Sequence, residues 1–266
     1  MSLDTTFRHS EQKGGRAICP NSNVVNIAAV GDVHCPYVDP SYLKAMLQEI
    51  DAKADVLLLC GDLTHEGHPS EAAILAELLA PLRCPTIGVL GNHDYEMGEA
   101  NIITQVLRQS GVIILDGGVH TACGIDFVGT KGFAGGFDDL ALQPWGEPLI
   151  KEFVAMAKLE AEKLESSLKQ STNHHRVAIL HYSPIRGTVE GEPEAIIPFL
   201  GSSYLENVLL RYPVEVVFHG HAHHGQPKGM TKNKIPVFNV ALPLLQKAKR
   251  FQTPVAFYAL TVNSPS

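Results

Sequence analysis

The chain has no C-x-x-C pair, and its five cysteines (Cys19, Cys35, Cys60, Cys84 and Cys123) are odd in number. That pattern excludes a disulfide scaffold and points to a reduced, cytoplasmic protein. Positive charge is not in excess either. Twenty-one Lys and Arg against 28 Asp and Glu leave a net charge of −7, which argues against a dedicated nucleic-acid surface. A small phosphate substrate stays open, because a bound metal can supply the positive field locally. No apolar stretch is long enough to span a bilayer. The polar N-terminus, residues 1–23, has no apolar core that could act as a signal sequence and is expected to be disordered or extended. No repeat and no low-complexity linker interrupts the rest, so residues 24–266 are expected to form a single domain. Nothing in the sequence sets an oligomeric state.

What is present is a regular alternation. Apolar runs at 24–30, 56–60 and 85–90 read as buried strands, and helical spacing occupies 42–50, 72–82 and 100–109, the last stopped by Gly111. Strands that are apolar nearly throughout and alternate with helices predict an α/β fold with a mostly parallel sheet covered on both faces. Short strands are expected at 112–115 and 125–128. A glycine-rich loop follows at 131–139, and then a long helix at 146–170 with Glu165 and Lys169 as an i,i+4 pair. Strands return at 177–181, 214–218, 237–240 and 255–262.

Five short motifs stand at the ends of these strand-like runs: Gly-Asp32-Val-His34, Gly61-Asp62, Gly91-Asn92-His93-Asp94, the lone His181, and Gly220-His221-Ala-His223. In open α/β sheets functional groups gather outside the carboxyl ends of the strands, so five strand ends can deliver Asp, Asn and His to one point. Oxygen and imidazole donors without thiolates suit metal-assisted phosphate chemistry. Asp32 and His34, two residues apart, can address one ion. Asp62 has two carboxylate oxygens with which to bridge two ions, Asn92 offers a neutral carbonyl, and His181, His221 and His223 offer imidazoles. Two divalent ions against Asp32, Asp62 and a bridging hydroxide leave the site cationic, as an anionic phosphoester requires. Taken alone, Asp32, Asp62 and Asn92 could be turn residues after glycine, and a lone His181 could be structural.

All five blocks, in this order, resemble the calcineurin-like metallophosphoesterase superfamily. The resemblance runs from Asp32 to His223. It implies a four-layer double β-sandwich flanked by helices, and two divalent or mixed-valence ions (Mn, Fe or Zn). One ion would be held by Asp32, His34, Asp62 and His223, the other by Asp62, Asn92, His181 and His221. It implies hydrolysis of a phosphoester by a bridging hydroxide. His93 would stabilise the transition state or protonate the leaving oxygen, and Asp94 would hold the other ring nitrogen of His93.

The chain departs from two branches of that superfamily. His65 stands where purple acid phosphatases place a tyrosine, and T-H-E-G and G-N-H-D replace the D-R-G and G-N-H-E of protein phosphatases. The pattern is closer to small bacterial phosphodiesterases, including the cyclic-nucleotide type. A phosphomonoesterase and a non-catalytic interaction module of the same fold are the alternatives; the complete ligand set speaks against the second. The expected partner is a small phosphoester. His65 is open between a role at the site and an ordinary loop histidine, as are the loops 131–139 and 183–193 between substrate walls and surface. Arg186 is the candidate phosphate contact. His219 and His224 read as structural or solvent-exposed, and Cys35 as a small packed residue.

Overall fold

Strands β1 (Val24–Val30), β2 (Val56–Cys60), β3 (Thr86–Val89) and β4 (Ile113–Ile114) lie side by side in parallel, and the C-terminal strand β11 (Ala256–Thr261) pairs antiparallel with the free edge of β1. The computed structural model describes residues 23–248 and 253–262. Most of the N-terminal stretch expected to be disordered or extended therefore lies outside the described residues. All five residues of β2 are buried, because both faces of this sheet are covered. Ala28, Val30, Leu57 and Leu59 pack against helices α1 (Pro40–Lys53), α2 (Pro69–Leu79) and α3 (Ala100–Gln109). Their neighbours Ile27, Ala29, Val56, Leu58 and Cys60 face the other way, toward a second sheet.

That second sheet has the order β5 (Gly118–Ala122), β6 (Ile125–Gly129), β7 (Arg176–Ile179), β8 (Val216–His219), β10 (Pro236–Asn239) and β9 (Lys228–Met230). Its centre, from β6 to β10, is parallel, and both outer pairings are antiparallel. Ile125, Phe127, Val177, Ile179, Val216 and Phe218 fill the layer between the sheets. On its outer face, Val128, Ala178, Leu180 and Val217 pack with α4 (Pro148–Gln170) and α5 (Ser203–Leu209). The expected double sandwich flanked by helices is what the chain forms.

The sequence boundaries differ where capping outweighs periodicity. Helix α2 starts at Pro69, with His68 as its cap and Glu71 closing a capping box. It ends at Leu79 rather than at 82 because Pro81 has no N–H with which to continue. Strands β5 and β9 were not anticipated. They are short, polar edge strands without an apolar signal. A sixth helix, α6 (Leu242–Ala248), opens on Leu-Pro, which reads as a breaker although proline is tolerated in a first turn. Among the described residues no helix is long and apolar enough to cross a membrane. Cys35, Cys60 and Cys84 are free thiols, whereas Cys123 is disulfide-bonded, against the expectation of a wholly reduced chain.

The two sheets are tied together at the carboxyl ends of their strands. The N–H of Gly31, just past β1, donates to Val240 O just past β10 (2.9 Å), and Leu242 N returns to Gly31 O (2.9 Å). This junction brings the motifs of both halves of the chain to one place.

Candidate metal centre

The loops that follow the strands turn sharply. Asp32, His34, Asp62 and His221 have φ of 56°, 40°, 48° and 71°, the left-handed region that costs a non-glycine residue on the order of 1 kcal/mol or more. Four such residues in three strand-end loops, all donor types, mark a functional site. Two motif glycines are required by close approach. A Cβ on Gly91 would sit 2.1 Å from Asp62 Oδ1, and one on Gly220 would sit 2.3 Å from Asp32 Oδ2.

Two clusters of donors result. Asp32, His34 and His223 present ligand atoms within 4.8 Å of one another, and so do Asp62, His181 and His221. In the first, His223 Nε2 lies 3.0 Å from Asp32 Oδ1. In the second, His181 Nε2 lies 3.4 Å from Asp62 Oδ1 and 2.9 Å from Asn92 Oδ1. Asp62 also reaches the first cluster, with Oδ2 3.8 Å from His34 Nε2. All seven residues read from the sequence as ligands thus converge.

Hydrogen bonds set which ring nitrogen is free. His181 Nδ1 donates to Cys60 O (2.9 Å), leaving Nε2 as the lone pair that faces Asp62 and Asn92. His221 Nε2 donates to Phe199 O (3.2 Å), leaving Nδ1. Asp32 accepts from His221 N at 3.0 Å with both oxygens, which fixes its carboxylate. Burial holds three rings neutral: His34 is lowered to about 4, His221 to about 3, and His181 well below its usual value. For His223 burial also works downward, but the hydrogen bond to Asp32 and its charge outweigh it and raise the ring. Burial, then the charges of Asp32 and Asp94, push the Asp62 carboxyl well above its usual range. Packed carboxylates beside three neutral imidazoles are short of positive charge, and His34 Nδ1 is buried without a partner. This donor set fits divalent cations.

His93 stands beside Asp62 and the His34 ring. Its backbone N–H donates to Asp62 Oδ1 (2.9 Å) and its ring Nδ1 donates to His65 O (2.7 Å), with Glu96 Oε1 3.3 Å away. Nε2 is the free nitrogen. Asp94 does not make the contact with the His93 ring expected of it. Asp94 is fully buried, and its oxygens accept from Gly91 N (2.7 Å), Thr64 N (2.8 Å), Thr64 Oγ1 (2.6 Å) and Leu63 N (3.1 Å). Being next in sequence to His93 directs it under the loop. It ties the Asn92 loop to the Asp62 loop and leaves the His93 ring to the carbonyl of His65.

The remaining candidates separate clearly. His219 is satisfied on both nitrogens, by Gly220 O and Thr188 Oγ1, and is structural. His68 caps α2, and His224 meets Lys247 at 2.8 Å. Cys35 is a buried core thiol pushed up to about 11 by burial. Arg186 pairs with Glu194 at 3.4 Å, so a local partner already engages it. The loop 131–139, open in the sequence between substrate wall and surface, begins with Lys131, which no motif singles out. Its ammonium lies 5.0–5.4 Å from the rings of Tyr95, Phe133 and Tyr182, and its carbonyl accepts from His181 N (3.0 Å). Its only signal was a lysine opening a K-G-F-A-G-G run.

The chain matches the family described as calcineurin-like phosphoesterase over residues 25–225. It is 26% identical over 190 residues to a probable cyclic nucleotide phosphodiesterase of Ruthia magnifica subsp. Calyptogena magnifica, covering 68% of each chain. It is likewise 26% identical over 180 residues to one of Synechococcus sp., covering 66% of this chain and 62% of that one. The chain therefore spans about two thirds of these relatives. Among solved structures, phosphopantetheinyl hydrolase of Mycobacterium tuberculosis superposes with a TM-score of 0.62 at 13% identity, over 88% of this chain and 95% of that one. The protein TT1561 of Thermus thermophilus gives 0.52 at 15%, over 90% and 100%. At such identities the likeness is one of fold. The family match encloses every one of the five strand-end motifs, and the chain belongs to the calcineurin-like phosphoesterase family.

Proposed function

We propose that this phosphoester hydrolase uses two divalent cations and acts on a small phosphodiester, of nucleotide or cyclic-nucleotide type. The observation that carries the reading is the pair of adjacent donor clusters with Asp62 between them and His93 hydrogen-bonded to Asp62 (2.9 Å). Asp32, His34, Asp62 and His223 would hold one cation, and Asp62, Asn92, His181 and His221 the other. Bound there, the cations supply Lewis acidity toward the phosphoryl oxygens and the activation of the attacking water.

The chain's own residues do the rest. The carbonyl of His65 fixes the His93 ring through Nδ1 and leaves Nε2 free. With Nδ1 engaged and Glu96 Oε1 3.3 Å away, His93 is left to give a proton from Nε2 to the leaving oxygen. Asp94 is a positioning residue that holds the two loops together. Preference for a diester is supported by the two relatives named as probable cyclic nucleotide phosphodiesterases.

The test is hydrolysis of bis-p-nitrophenyl phosphate and p-nitrophenyl phosphate by metal-stripped protein reloaded with Mn. Metal-dependent cleavage favouring the diester is expected. Preference for the monoester overturns the substrate class, and no turnover of either by metal-loaded protein overturns the catalytic reading for simple esters.

A further inference from the structure

Beside the two clusters lies a third group of donors made of imidazoles alone. His34, His65 and His93 each present a ring nitrogen within 4.8 Å of the other two. The His34 ring meets those of His93 and His65 edge-on, with centroids 4.7 and 5.4 Å apart. His65 lies parallel to His93 at 5.9 Å and to Tyr37 at 4.3 Å, so it is clamped between two rings. Its backbone is fixed as well, since His65 N donates to Glu71 Oε2 (3.2 Å). The nest is thus ordered by packing rather than by any bond to the His65 side chain.

Its nitrogens are unsatisfied. His34 Nδ1 and His65 Nδ1 are the two buried side-chain polar atoms without a hydrogen-bond partner among the described residues. A buried polar group left unpaired costs about 1–3 kcal/mol, and here two of them share one nest. The third ring, His93, has Nδ1 engaged by His65 O and Nε2 free. Three imidazole lone pairs with no carboxylate among them differ in kind from the two clusters described above. Nitrogen-only donors select zinc, copper or nickel, while manganese and magnesium prefer oxygen. Three histidines and one water complete a tetrahedral zinc site.

We propose that His34, His65 and His93 form a third cation site, selective for zinc-like ions over manganese, whose occupation withdraws His93 from turnover. The binding stands apart from the proposed hydrolysis, which enters only through the role of His93. His34 also belongs to the Asp32–His223 cluster. The third ion either draws that ring across or, with the ring's remaining proton released to solvent, shares it through the second nitrogen, and in both cases its binding depends on His65.

The experiment uses full-length protein, stripped of metal, equilibrated with Mn and then dialysed against increasing Zn, with elemental analysis of bound metal. His65→Phe keeps the ring stack with Tyr37 and His93 and removes both nitrogens. His65→Leu is the second variant, and Tyr37→Leu removes the stack while keeping the nitrogens. The wild type and Tyr37→Leu are expected to take up about one metal ion per chain more than either His65 variant. Excess Zn is expected to slow diester turnover of the wild type about tenfold or more, and that of His65→Phe less than about twofold. Equal metal uptake by wild type and His65→Phe overturns the site, whatever the turnover assay shows. Unequal uptake with no diesterase activity in any protein leaves the site standing and overturns the proposed activity instead.

Discussion

Between its two oxygens Asp62 touches three parts of the site: His93 N at 2.9 Å, His181 Nε2 at 3.4 Å and His34 Nε2 at 3.8 Å. It is the carboxylate that reaches both clusters. Replacing it with alanine is expected to lower bound metal from about two ions per chain toward none. Elemental analysis of Asp62→Ala after Mn reloading checks this, and two ions retained would remove the bridging assignment. Gly91→Ala should imitate that loss through sterics alone, because its Cβ would lie 2.1 Å from Asp62 Oδ1. His93→Ala is the opposite case. Its ring contributes chemistry rather than a ligand to either cluster, so kcat should fall about 10²–10⁴-fold while both ions stay bound. Residue types at this scale were readable in advance, but only from the five blocks taken together: His181 has no motif of its own and was a candidate in their company alone. Lys131 was not readable in advance, since a half-buried ammonium is recognisable only by the rings that Tyr95, Phe133 and Tyr182 fold around it.

At the scale of elements, two buried carboxylates fasten helix α4 to the second sheet. Asp126 on β6 is buried and accepts from Thr121 Oγ1 (2.6 Å), Ser171 Oγ (2.8 Å), Thr172 N (3.0 Å), and both the backbone and side chain of Asn173. Burial alone would raise its carboxyl, but these donors outweigh it and bring it to about 2. The folded value lies below the unfolded one of about 4. Its contribution, on the order of 2 kcal/mol, is therefore complete above about pH 4 and is lost as pH falls toward about 2. Urea unfolding should find Asp126→Asn less stable by about that amount at about pH 7, with the gap closing at about pH 3 and below. A gap independent of pH would refute the assignment. Glu160 on α4 accepts from Gly132 N (2.9 Å) and the Thr130 hydroxyl and meets Lys163 at 2.8 Å. Helix α4 was legible as an element from its apolar spacing and its Glu165–Lys169 pair, now seen at 3.2 Å. That it anchors the loop carrying Lys131 was not legible, because Glu160 reads in sequence as one more exposed acidic position.

For the molecule as a whole, the decisive layer is the one between the sheets, where Phe127 and Phe218 are fully buried. The loops that carry these Asp, Asn and His residues hang from the ends of these same strands, so the layer also sets the distance between the Asp32–Asp62–Asn92 half and the His181–His221–His223 half. Phe127→Ala should cost about 3–5 kcal/mol of stability, and it should weaken metal binding although Phe127 lies in the layer between the sheets and not in a strand-end loop. Thermal unfolding with and without Mn checks both, and an unchanged metal-induced shift in Tm would show that the halves align without this layer. The kinds and order of the donors were determined by the sequence, because glycine-flanked Asp, Asn and His at the ends of apolar runs are local features. Partnerships were decided by the tertiary structure. Asp94 supports Leu63 and Thr64 instead of the neighbouring His93, and His181 orients against Cys60, 121 residues away. His65 joins a nest with His34 and His93. Such pairings depend on how two sheets pack and how strained loops turn, and a hydrogen bond across 121 residues leaves no trace in the spacing of the chain.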